Sequence, residues 1–99
     1  MTKELLKARL IALKKEIAVV REYSSSDLDI IEKTLHKYEY IIDSNQNTYP
    51  SIFHYGMAEE LFNLKNAFEK LSKEKNKDRK VKDLVGFLSD DLEAVLSQL

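Results

Sequence analysis

The sequence predicts an all-α protein, an antiparallel up-down-up-down four-helix bundle forming one domain over residues 1–99. Three observations predict it. Apolar residues recur at alternating three- and four-residue steps in four separate segments, the period of an amphipathic helix. Two glycines and one proline leave few places where the chain is forced to turn. Polar clusters separate the four apolar stripes, as connections between helices do. A chain of 99 residues is also long enough to bury one continuous core.

The first helix, near residues 2–22, carries Leu6, Leu10, Leu13, Ile17 and Val20 as its apolar seam. A second, narrower stripe of Leu5, Ala8, Ala12 and Val19 lies on another side. Its small residues suit a close helix neighbour in the bundle, with a second subunit (a homodimer) as the alternative. The second helix, near 27–44, has Leu28, Ile31, Leu35, Tyr38 and Ile42, and Ser26 with Asp29 matches a capping box ahead of it. "DSNQNTYPS" ends that helix, with Asn45 or Asn47 suited to a left-handed cap.

The third helix, near 51–73, follows Pro50, which a first turn tolerates. Its seam is Phe53, Met57, Leu61, Leu64, Phe68 and Leu71. The fourth, near 79–98, is led by Asn76 or Asp78 as N-cap. It carries Val81, Leu84, Leu88, Leu92, Val95 and Leu99, widened by Val85 and Leu96.

Composition excludes several classes of function. A formal net charge of −1 does not suit a protein that is basic throughout and binds nucleic acid with its whole surface. The absence of cysteine removes disulfides, thiolate metal sites and thiol catalysis. The longest unbroken apolar run near the start, Leu10–Leu13, falls far short of the roughly 20 residues a transmembrane helix needs. Charges run through "MTKELLKARLIALKKE" and no cleavage site follows, so no signal peptide is expected and the expected location is cytoplasmic.

The candidate sites lie on the polar sides of these helices. Residues placed about 100° apart put Phe53 and Met57 on the core side of the third helix and His54 and Gly56 on its flanks. Ile52, Tyr55 and Phe62 point away from that core. Folding of loop 45–50 over Tyr55, with Tyr49 or Pro50 as the cover, is the packing explanation for Tyr55. Phe62, flanked by Glu59, Asn63 and Asn66, is harder to cover, and exposed aromatics mark interaction surfaces. On the fourth helix Phe87 points outward beside Asp83 and Asp90, a face suited to a basic partner. Within "SDDLE", Asp90, Asp91 and Glu93 read as a solvated acidic face.

Two basic surfaces are the alternatives. Lys3, Lys7, Lys14 and Arg21 share an edge of the first helix that suits phosphates or an anionic membrane. The connector "KEKNKDRKVK" contributes Lys75, Lys77, Arg79, Lys80 and Lys82, with no interleaved aromatic and two acids. A solvated helix-capping linker is the favoured reading of this connector.

Catalytic and metal chemistry find little support. His54 departs from the histidine phosphotransfer pattern, which carries a lysine three residues after the histidine and a glycine next to it; here those features are Met57 and, two residues on, Gly56. Glu32 and His36 sit one turn apart, which suits a surface hydrogen bond. A di-iron bundle needs two Glu-x-x-His pairs, and the sequence holds none. There is no Gly-rich phosphate loop and no Gly-x-Ser-x-Gly elbow. No cofactor or metal is expected.

In length, freedom from cysteine and four antiparallel helices the expected architecture resembles bacteriocin immunity proteins of the enterocin type. The likeness is architectural, with no shared motif, and architecture alone does not carry function. The expected function is that of a non-enzymatic protein-interaction module, an adaptor, inhibitor or immunity-like protein. Tyr55 and Phe62 on the third helix would anchor the partner, and Phe87, Asp83 and Asp90 on the fourth would orient it. A homo-oligomeric bundle, or weak nucleic-acid or membrane binding through the basic surfaces, is the alternative.

Overall fold

The computed structural model describes residues 1–20, 25–73 and 78–99, which form four α-helices and no strand. Arg21, Asn76, Lys75 and Lys77 of the sequence reading lie outside the described residues.

Helix α1 spans Lys3–Ala18. Thr2 caps it from extended backbone, its hydroxyl accepting the Leu5 N–H at 3.2 Å, and Glu4 and Lys15 complement the two ends of the helix dipole. The helix ends at Ala18, short of the expected 22, so Val20 lies beyond it, but Leu6, Leu10, Leu13, Ile17 and Val20 are all buried as the seam predicts. The second stripe is not. Leu5 is 44% exposed, Val19 60%, and Ala8 and Ala12 are exposed as well, so no helix of the bundle covers them. The main seam alone meets both neighbours of α1, which leaves this flank outside.

Helix α2 spans Ser25–Asn45, so Ser26 is already helical and is not the cap that the sequence suggested. Ile31, Leu35, Tyr38, Ile41 and Ile42 are buried and Leu28 is half-buried. Two fully buried polar residues bond back to the preceding turn. Thr34 donates to the Ile30 carbonyl at 2.8 Å, and Asn45 Nδ2 donates to the Ile41 carbonyl at 2.7 Å. Asn45 Oδ1 has no hydrogen-bond partner among the described residues.

Helix α3 spans Tyr55–Leu71 and starts four residues later than the expected 51. The Tyr49 N–H bonds the Asn45 carbonyl at 2.8 Å, and the Tyr49 carbonyl takes the N–H groups of Ile52 and Phe53 at 3.1 and 2.9 Å. Pro50 belongs to this turn and not to the helix. A helical wheel therefore does not apply to Ile52, which is buried with Phe53 instead of pointing outward. His54, in extended backbone, is the N-cap: its Nδ1 accepts the Met57 N–H at 3.3 Å.

Helix α4 spans Asp78–Ser97 and buries Val81, Leu84, Leu88, Leu92 and Val95. Each helix packs against two others, α1 on α2 and α4, and α3 on α2 and α4, which closes a ring around one core. Full burial of each of these aliphatic side chains contributes about 1.5–3 kcal/mol relative to exposure, and this is the dominant stabilising term.

Charged and hydroxyl contacts fix the directions. The Tyr49 hydroxyl, just beyond α2, donates to the Met1 carbonyl before α1, and Lys37 in mid-α2 meets Glu16 near the end of α1. Those two helices are antiparallel. The 46–54 turn keeps the start of α3 beside the end of α2, so Lys65 reaches Glu39 only because α3 runs back along α2. Across the core, the Tyr38 hydroxyl donates to Asp91 Oδ2 on α4 at 2.6 Å.

Candidate protein-docking groove

The α2/α3 seam carries an open groove of about 670 Å³. Leu28 and Leu35 of α2 and Phe68 of α3 supply apolar lining from the edge of the core, and Phe62 stands beside them. Asp29 and Glu32 edge the groove from α2, and Glu69 edges it from α3. This placement follows from helical period. Asp29, Glu32, His36, Glu39 and Asp43 step by alternating threes and fours, a stripe about 100–180° from the centre of α2's buried face on the side of α3. On α3, Lys65, Glu69 and Phe62 occupy the facing flank by the same count.

Polar contacts in the groove are few. Lys65 pairs with Glu39. His36 Nε2 lies 3.9 Å from Glu32 Oε1, beyond hydrogen-bond distance, so the bond expected of this i,i+4 pair is not made. Among the described residues the carboxylates of Asp29 and Glu69 have no ion-pair partner.

Phe62 is 60% exposed at the groove's edge. Tyr55 lies two turns before it on α3 and is 81% exposed. Loop 45–50 does not cover Tyr55, because Tyr49 turns instead toward Met1. Phe87 is 65% exposed on α4, where Asp83 and Asp90 are exposed too, but none of the three lines the Phe62 groove. The sequence-derived residues thus divide between two faces.

The acidic run on α4 is also less solvated than its sequence suggests. Asp91 is half-buried on Tyr38, and Glu93 pairs with Lys14 of α1, leaving Asp90 free of such a contact among the described residues. Burial, then the hydrogen bond to Asp91 and the charges of Asp91 and Glu60, push the Tyr38 phenol well above its ordinary range and hold it neutral. Of the basic connector, Arg79, Lys80 and Lys82 are exposed at the start of α4. Lys3 and Lys7 are exposed on α1.

No group of three or more His, Asp or Glu side chains among the described residues is placed to hold a metal ion. No helix among them is long and apolar enough to cross a membrane. Comparison with models of protein families, with curated proteins and with solved structures gives no match to this chain.

Of the groove's acids, the sequence singles out Asp29 only as a capping-box residue and Glu32 only as the turn-spaced neighbour of His36, and Glu69 not at all; none is assigned to partner binding. A signal for them existed in the 29-32-36-39-43 stripe. It is read only when the polar periodicity of α2 is followed as closely as the apolar one.

Proposed function

We propose that this chain is a non-enzymatic protein-interaction module that docks a partner protein on the α2/α3 face, with Phe62 as the central anchor. The observation that carries the reading is the position of Phe62: a large apolar side chain, 60% exposed, at the lip of an open groove of about 670 Å³ where Leu28, Leu35 and Phe68 are set among polar and charged side chains. Burying such a ring in a partner supplies the kind of contact that dominates interface energetics, and Tyr55 extends the same helix face. Carboxylates around the anchor favour orientation and association rate more than affinity. Phe87 with Asp83 and Asp90 forms a separate face, suited to a second contact.

The test is affinity capture from native extract with three proteins of equal helicity: wild type, Phe62→Ser and Phe87→Ser. The expected result is a protein retained by wild type and Phe87→Ser and lost by Phe62→Ser. Equal retention by all three would remove the groove from the reading. A homo-oligomer is the second reading, favoured by the uncovered Leu5, Ala8, Ala12 and Val19 stripe, and light scattering over a range of concentrations tests it.

A further inference from the structure

We infer that the occupant of the α2/α3 groove is a basic amphipathic α-helix of another protein, an apolar stripe edged on both sides by Lys or Arg. This rests on the docking reading above and names the partner's chemistry.

Along this face α2 presents Asp29, Glu32, Glu39 and Asp43, and α3 presents Glu69. Against these stand Lys65, already paired with Glu39, and the imidazole of His36, 3.9 Å from Glu32. The acids edge the groove on both sides, Asp29 and Glu32 on one and Glu69 on the other, while its apolar lining comes from Leu28, Leu35 and Phe68. A ligand that is apolar along its middle and positive along both margins complements this; an acidic or uniformly polar one does not.

Geometry selects a helix. From Tyr55 to Ser72 the face runs about 26 Å along α3, the length of a helix of roughly 17 residues. A helix laid along a two-helix seam offers anchors at i, i+3, i+4 and i+7. Tyr55 and Phe62 stand seven residues apart, two turns, and their exposed rings also offer faces to Lys or Arg side chains.

A second copy of this chain is the weaker occupant. Its α1 is basic and exposes Ile11 (43%) in its middle, but Ile11 stands apart from the free stripe, where Ala8 and Ala12 lie between Leu5 and Val19, so the helix offers single apolar residues and no continuous run of anchors. An α1-to-groove contact is also head-to-tail, so unless its rotation closes a ring it leaves an unfilled groove at one end of the assembly.

The experiment uses the full chain, isotope-labelled, with three designed peptides of about 18 residues. All carry Leu at i, i+3, i+4 and i+7; the polar positions are Lys in one, Glu in the second and Ser in the third. Amide shifts locate binding and calorimetry measures it. The expected result is that the Lys peptide binds, shifts amides of residues 28–36 and 62–72, and weakens as salt rises. Phe62→Ser should weaken it ten- to a hundredfold or about that, and paired Glu32→Gln and Glu69→Gln changes about tenfold.

If the Glu or Ser peptide binds the same amides as tightly, the basic partner is overturned while the docking face stands. If no peptide shifts those amides, or the Lys peptide settles on Asp83 and Asp90 of α4, both readings fall. A concentration-dependent rise in mass, abolished by Phe62→Ser, would replace the foreign helix by a second copy and overturn the inference.

Discussion

His54 and Gly56 show how one side chain constrains another two residues away. The imidazole caps α3 by accepting the Met57 N–H, and a Cβ built on Gly56 meets that ring at 3.2 Å. Alanine in a helix is otherwise favoured over glycine by about 1 kcal/mol. Gly56→Ala should therefore be close to neutral in the wild type, because the ring must shift and loosen its cap. In a His54→Ala background the same change should stabilise by roughly 0.5–1 kcal/mol. A urea-denaturation cycle measures this, and additive effects would show that ring and Cβ do not compete. Gly86 is the control within the same chain: it is exposed in mid-α4, with nothing within 4 Å of its built Cβ. Gly86→Ala should stabilise by about 1 kcal/mol, read as a rise in Tm of roughly 4–8 °C.

At the scale of elements, the link between α2 and α4 is the Tyr38–Asp91 hydrogen bond. Tyr38→Phe keeps the ring in the core and removes the donor, so about 1–2 kcal/mol of stability should be lost at pH 7. The pH dependence has a definite sign. The folded phenol titrates above the unfolded one, so its contribution is complete below a pH of about 10 and is lost as pH rises beyond it. The gap between wild type and Tyr38→Phe should narrow over that alkaline range in urea titrations; a constant gap would mean the phenol ionises freely in the fold.

The elements themselves were legible in sequence because burial repeats with helical period. Every residue of the four seams is buried or half-buried. What escaped the sequence has local causes. The start of α3 was misread because the turn bonds around Tyr49 hold residues 46–53 out of the helix, and no periodicity signals a bond to a carbonyl. Small residues on the α1 stripe suit a close neighbour, yet only the ring order of the helices decides which flank is covered. The groove was invisible because it belongs to two helices at once.

For the whole molecule, different forces hold the fold and form the candidate face, and salt separates them. The core is built mainly of apolar side chains from α1 to α4, with Thr34, Asn45 and the Tyr38–Asp91 hydrogen bond set into it, while the ion pairs Lys14–Glu93, Glu16–Lys37 and Glu39–Lys65 are partly exposed. Exposed pairs are worth about 0–1 kcal/mol each. Repulsion among the acids along α2 acts in the opposite sense, and salt screens both. Raising NaCl from about 50 mM to about 500 mM should therefore change unfolding free energy by less than about 1 kcal/mol. Over the same range the Lys peptide at the α2/α3 groove should lose much of its affinity, because its attraction comes from carboxylates that face solvent. Chemical denaturation with urea, which adds no ions, and calorimetric titration at matched salt measure the two responses on one preparation. A fold that weakened as steeply as the docking would place the ion pairs, and not the apolar seams, at the centre of the bundle's stability.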